Sequence, residues 1–222
     1  MKRALDLILS LVGLIALSPA LFLVMILIRL SDGGPALFVQ RRVGRGGREF
    51  NMFKFRTMIV NAESKGAQIT VGNDQRVTAM GSLLRKTKFD ELPQLWNVLL
   101  GQMSFVGPRP EVKKYVDLYS LSHREVLKLK PGITDLASFA FFNESELLGQ
   151  AKDAEVFYLN VLMPEKIRIN LEYARQANLA TDLWLITATV LRSLGWRADG
   201  TWSQATGPAL PDYTARHCFT GS

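Results

Sequence analysis

The segment from Ala4 to Ile28 is almost continuously apolar, and Asp6 is its only charge. No other stretch limits the possible folds as much. As one helix it would reach about 37 Å at ~1.5 Å per residue, enough to cross a hydrocarbon core of about 30 Å. Three features argue against an ordinary span. Ser18-Pro19 lies in the middle, where proline removes a helical hydrogen bond and kinks the chain. Asp6 lies near the start, where it can stay at the interface or pair with Lys2 or Arg3. Both flanks are cationic, with Lys2 and Arg3 before the segment and Arg29, Arg41, Arg42, Arg45 and Arg48 after it. Cationic flanks mark the cytoplasmic side, so both ends belong on one side. A re-entrant helix, broken at Ser18-Pro19, that dips in and comes back out meets that demand. The Ser18 hydroxyl can then satisfy a carbonyl freed by the proline. A plain transmembrane helix and a buried core helix remain open. A cleaved signal peptide fits less well, because the run exceeds the usual apolar region of about 7–15 residues.

The 222 residues suit one main domain plus an accessory segment. Lys and Arg number 27 against 20 Asp and Glu, a net charge of +7. The excess clusters directly behind the apolar segment, which favours a membrane surface over nucleic acid. Zinc-finger spacing and RNP-like aromatic strands are absent from the sequence, so no nucleic-acid partner is expected. A single cysteine, Cys218, excludes a disulfide framework, and His123 and His217 make no zinc-type ligand set.

The expected fold class is α/β of the α+β kind: mostly helical, membrane-associated, with a few short strands and no βαβ alternation. Three units are expected: residues 1–30 as the re-entrant hairpin, 31–197 as the catalytic domain, and 198–222 as a tail. Residues 36–40 and 49–58 read as strands around a basic, glycine-rich loop. That loop is either an anion-binding backbone or a cationic hairpin turn on lipid headgroups. Residues 61–77 read as loop with one short helix. Helices are expected at 80–86, 92–100, 111–130, 145–162 (ended by Pro164) and 165–177, with strand within 133–142. Leu179, Leu183, Ile186, Thr187, Val190 and Leu194 form a helical apolar stripe with Trp184 and Trp196 near its ends. It reads as either an interfacial amphipathic helix or a core helix.

Chemistry concentrates between Leu83 and Pro110. Asp90 and Glu91 stand between Arg85, Lys86 and Lys88 upstream and Arg109 downstream. The apolar spacing from Leu92 to Leu100 predicts a helix with Pro93 in its first turn, so the two acids sit at or just before its N-terminus. An ordinary structural role for Asp90 there is an N-cap. The cationic company suggests others. Two carboxylates at such a place can hold Mg²⁺, which takes one or two carboxylates plus phosphate oxygens and water. A carboxylate can also act as a nucleophile that becomes an acyl phosphate. Lys54 and Arg56, two residues apart on the second strand, can hold phosphate oxygens.

An ordered series of motifs covers roughly residues 2–134. It comprises Lys2-Arg3-x-x-Asp6, Leu17-Ser18-Pro19, Gly34-Pro35 with Phe38-x-Gln40-x-Arg42-Val43-Gly44, and Lys54-Phe55-Arg56-Thr57-Met58. It continues with Asp74-x-Arg76-Val77-Thr78, Leu84-Arg85-Lys86-Thr87, Asp90-Glu91-Leu92-Pro93-Gln94-Leu95-Trp96-Asn97-Val98, Met103-Ser104, Val106-Gly107-Pro108-Arg109-Pro110 and Lys130-Pro131-Gly132-Ile133-Thr134. In this series the chain resembles the bacterial sugar transferases, the small monotopic phosphoglycosyl transferases. The resemblance implies an enzyme of the cytoplasmic face of the bacterial inner membrane. Such an enzyme moves a phospho-sugar from a UDP-sugar to polyprenyl (undecaprenyl) phosphate, releases UMP and begins a lipid-linked glycan such as an exopolysaccharide. It implies Asp90 as the nucleophile that carries the phospho-sugar, and Glu91 as the residue that orients Mg²⁺ or manages the acceptor's proton. It implies Arg109 as a nucleotide or phosphate contact. Membrane lipids are implied partners, and an oligomer is left open. Two alternatives from other classes are a membrane-bound scaffold with an inactive transferase domain and a single-span protein that binds anionic lipid. The chain departs from the family at Lys88-Phe89, where Ser-Leu is frequent. It departs again at Asp135-Leu136-Ala137-Ser138-Phe139, so no sugar is transferred from the resemblance.

Overall fold

A computed structural model describes residues 1–62 and 74–196. The segment 63–73, most of the stretch expected as loop with one short helix, and the tail 198–222 with His217 and Cys218 lie outside the described residues. The chain begins with one long helix, α1 (Lys2–Asp32), and continues with the antiparallel hairpin β1 (Leu37–Val43) and β2 (Glu49–Phe55). The helices α2 (Ala79–Lys86) and α3 (Gln94–Leu99) follow. Next come β3 (Ser104–Val106), α4 (Lys113–Val116) and β4 (Gly132–Thr134), with β3 and β4 parallel. The rest is helical: α5 (Leu136–Ala140), α6 (Glu144–Gln150), α7 (Ala154–Phe157), a π-helical segment Tyr158–Leu162, α8 (Met163–Gln176) and α9 (Leu179–Ser193). The mostly helical α+β reading holds.

Ser18-Pro19 is not an end of α1. Proline at 19 deprives the Ile15 carbonyl of its helical donor. The Ser18 hydroxyl donates to that same carbonyl at 2.8 Å, so the helix continues through the proline. This corrects the expected division into two limbs. One face of α1 follows the domain along most of its length. Arg3 donates to the carbonyls of Val98 and Leu99, and Asp6 accepts from Ser104 Oγ and Phe105 N–H. Gly13 passes Leu95 so closely that a Cβ would stand 3.3 Å from its Cδ1. Leu21, Val24 and Met25 then pack on the small core of Ile28, Phe55 and Leu84. The opposite face exposes Ile8, Leu11, Val12, Ile15, Phe22 and Leu23. By length and composition α1 is able to cross a membrane. It is also joined to the rest of the chain near both ends, by Arg3 and Asp6 and by Asp32.

The main core lies under β3 and β4, where Val106, Leu136, Phe139, Leu162, Ile169 and Leu185 meet. The capping box of Asn178 and Thr181 starts α9, and its inner face (Leu185, Ala188) joins this core while Leu183, Val190, Leu194 and Trp196 stay exposed. Of the expected stripe only Ile186 packs against this core. The expected helix over 111–130 is cut short. Ser120 Oγ takes the His123 N–H at 3.2 Å, a local bond that competes with helix continuation. Only α4 and a 3₁₀ segment, His123–Lys128, form. Pro164 ends nothing. It occupies the first turn of α8, where its missing N–H leaves no gap.

Candidate active site

Three local devices assemble the site. The first places the acids. Thr78 caps α2 by accepting from Gly81 N–H at 2.9 Å, and a Cβ on Gly81 would come 1.9 Å from the Thr57 carbonyl. Thus α2 starts hard against Thr57, and one turn later Arg85 donates to the Thr57 hydroxyl at 2.8 Å. Lys88 then adopts a left-handed conformation (φ 58°, ψ 14°), and the chain turns through the 3₁₀ segment Phe89–Glu91 into α3. Asp90 and Glu91 are both buried. The cap position of α3 is Pro93, and Asp90 Oδ1 has no hydrogen-bond partner. The N-cap reading of Asp90 is therefore wrong.

The second device brings in β2. Asn97, fully buried on α3, donates to Asn51 O at 2.7 Å and accepts from Phe53 N–H at 3.1 Å. This fastens β2 across α3 and delivers the next residue, Lys54, to Glu91, with Nζ 3.6 Å from Oε1. The third places Arg109. Gly107 and Gly132 lie back to back: a Cβ on Gly107 would come 2.2 Å from Lys130 O, and one on Gly132 would come 2.2 Å from Gly107 N. Two glycines let β3 and β4 meet there, and the Pro-Arg-Pro turn springs from that junction. Arg109 grips both oxygens of Glu91, at 2.5 and 3.3 Å.

Electrostatics separate the two acids. Burial raises the Asp90 carboxyl above its ordinary value, and the Glu91 charge raises it further, against the opposite pull of Lys54, Lys88 and Arg109. Burial acts the same way on Glu91, but Arg109 and Lys54 outweigh it and hold that carboxyl well below the usual range. Glu91 in turn raises Arg109. Burial pushes the Lys54 ammonium down to about 7, helped by Arg109 and opposed by Glu91. The result is a permanently charged Glu91, consumed by its cations, beside an unengaged Asp90 oxygen.

These groups open on a cleft of about 1320 Å³ lined by Lys54, Arg56, Arg85, Asp90, Glu91 and Arg109, which brings the expected site residues together. Arg56 is bound through one nitrogen to Asp32 at the end of α1, while its Nη1 has no partner. Among the described residues no cluster of three acidic, His or Cys side chains could cage a metal. Glu91 was expected as a metal carboxylate beside Asp90, but both its oxygens face Arg109. The basic loop is a hairpin turn, that of β1–β2, as one of its two readings had it, and Arg42 on β1 lines the cleft. There Arg42 donates to Gln40 Oε1 at 2.7 and 2.9 Å and pairs with Glu111 at 3.1 Å. Tyr158 of the π segment donates to the other Glu111 oxygen. Gln40-x-Arg42 stood in the motif series, so half of this network had a signal. Nothing in the sequence pointed to Tyr158.

The family profile described as bacterial sugar transferase matches residues 1–195. Among relatives, the chain is 34% identical over 194 residues to a UDP-N-acetylgalactosamine-undecaprenyl-phosphate N-acetylgalactosaminephosphotransferase of Aeromonas hydrophila, covering 85% of this chain and 42% of that protein. It is 37% identical over 198 residues to a UDP-glucose:undecaprenyl-phosphate glucose-1-phosphate transferase of Xanthomonas campestris, covering 87% and 39%. It is 33% identical to the exopolysaccharide production protein ExoY of Sinorhizobium fredii, covering 85% and 83%. The chain thus spans about two fifths of the first two relatives and most of the third. With the profile running from the first turn of α1 to the end of α9, the chain belongs to the bacterial sugar transferase family.

Proposed function

We propose that the chain transfers a phospho-sugar from a UDP-sugar to polyprenyl phosphate. The observation that carries this is a buried, unpartnered Asp90 oxygen in a cationic cleft, next to a Glu91 already committed to Arg109 and Lys54. The relatives' named reactions support it. In the first step an Asp90 oxygen attacks the sugar-bearing phosphorus. A P–O bond forms as the bond to the UMP oxygen breaks, and UMP leaves with that electron pair. In the second, a phosphate oxygen of the acceptor attacks the same phosphorus and Asp90 leaves as carboxylate. The product is a polyprenyl-diphospho-sugar, the start of a lipid-linked glycan. Glu91 holds Arg109 and Lys54 toward the phosphates, and Arg85 and Arg56 add positive charge to the cleft.

Asp90 with a bound diphosphate fits Mg²⁺, which needs no protein cage. When bound, the ion offsets diphosphate charge. The exposed faces of α1 and α9 then rest in the cytoplasmic leaflet of the inner membrane, with both ends of α1 on the cytoplasmic side. The fastening of both ends to one domain supports that path over a full crossing. The test is UMP release by purified protein given Mg²⁺, polyprenyl phosphate and a panel of UDP-sugars. Asp90→Asn should abolish release, and chelation should stop it until Mg²⁺ is returned. Release of UDP instead of UMP would overturn the assignment.

A further inference from the structure

Most cations lining the cleft already have an acid: Arg42 with Glu111, Lys54 and Arg109 with Glu91, Arg56 with Asp32, Arg76 with Asp74 and Lys166 with Glu144. The run that leads into Asp90 differs. Arg85, Lys86 and Lys88 line the same cleft, and among the described residues none of the three has a carboxylate at ion-pair distance. Lys88 is the last of them, two residues from the nucleophile. Its left-handed backbone is an uncommon state for a residue with a side chain, and such strain concentrates where geometry serves function. The Lys88 ammonium stands 5.3 Å from the centre of the Phe142 ring. The Arg192 guanidinium of α9 lies 4.4 Å from the same ring. Cations over an aromatic ring are held in place without losing their charge.

This arrangement has a direction. The cations committed to Glu91 serve the buried side of the dyad, whereas Lys88 is exposed at the rim. From Lys88 the stack leads through Phe142 to Arg192 of α9, a helix that also carries exposed Val190 and Leu191, with exposed Leu194 and Trp196 just beyond its end. A ligand with a phosphate head and a long apolar tail can set its head beside Lys88 and run its tail along α9.

We infer that Lys88 binds the headgroup phosphate of the polyprenyl phosphate acceptor and, held over Phe142, guides it from the α9 surface to Asp90. The inference rests on the transferase reading and adds a residue that the family's frequent Ser-Leu sequence does not supply. The test uses the full chain in detergent and on vesicles, with the UDP-sugar that the unmutated protein turns over. Lys88→Gly is the main variant, because glycine suits a positive φ and removes the ammonium without straining the backbone. Its thermal midpoint should match or exceed that of the unmutated protein. The acceptor KM should rise about tenfold, the scale of one charge-assisted contact, while the donor KM holds. Lys88→Arg should restore the acceptor KM. A tenfold rise in donor KM, or an unchanged acceptor KM, overturns the inference while leaving the transferase reading intact. Loss of binding to phosphatidylglycerol vesicles without a change in acceptor KM would also overturn it, by assigning Lys88 to bulk lipid. Absence of UMP release from the unmutated protein with every UDP-sugar instead removes the transferase reading itself.

Discussion

Replacing Glu91 with Gln tests whether this residue holds cations or moves a proton. The change keeps shape and a hydrogen-bond acceptor but removes the charge that faces Arg109 at 2.5 Å and Lys54 at 3.6 Å. Removing one partner of a buried pair costs about 3–5 kcal/mol. The Arg109 side chain is 32% exposed, so solvent screens it, and about 2–3 kcal/mol is the better expectation. In the folding equilibrium that is a factor of about 30 to 150, and kcat/KM should fall as well because Arg109 loses the group that holds it. A double-mutant cycle of Glu91→Gln with Arg109→Gln, read by UMP release and by thermal unfolding, isolates the pair. The expected coupling is about 2 kcal/mol or more in both readouts. The argument fails if the two losses add to within about 0.5 kcal/mol, since Glu91 would then act independently of Arg109.

The other expectations are narrower. Lys54 is protonated below about 7 and neutral above it. Donor kcat/KM should therefore fall as pH rises through that value, and Lys54→Arg should remove this alkaline limb, because guanidinium stays charged. Asp6→Ala deletes an acceptor for Ser104 and Phe105; a loss of about 3 kcal/mol, about 6–12 °C in Tm, is expected by calorimetry, with Asp6→Asn milder. Gly107→Ala pushes a methyl against the Lys130 carbonyl; activity and Tm should both fall, and retention of both would show that the β3–β4 junction yields easily.

The sequence disclosed the proposed reacting groups better than their partners. Asp90, Glu91, Lys54, Arg85 and Arg109 were legible because charge density and motif order single them out, and the structure gathers them in one cleft. What the acids do to each other was not legible. Adjacent residues look equivalent in a sequence, yet Arg109 reaches Glu91 alone, because Gly107 and Gly132 fix where its turn begins. Asn97 read as one polar position in a helix, whereas its amide bridges two elements 46 residues apart. The same limit explains Pro19 and Pro164. Proline's missing N–H is visible in a sequence, but the Ser18 hydroxyl that replaces it, or a first-turn position that does not need it, is a matter of geometry.

The fastening of α1 at both ends has a kinetic meaning. Near its start Arg3 and Asp6 grip the α3–β3 side, and near its end Ile28 and Asp32 grip the β2–α2 side. A helix tethered once could swing like a float on a line. Tethered twice, it sets the cleft at a constant height relative to whatever surface its apolar face occupies. In the proposed reaction, a lipid acceptor on a bilayer would then reach Asp90 by a search in two dimensions, while the nucleotide donor arrives from three. Acceptor encounter should scale with the acceptor's mole fraction in the membrane, not with its bulk concentration, and dilution with inert lipid at constant total acceptor should slow turnover.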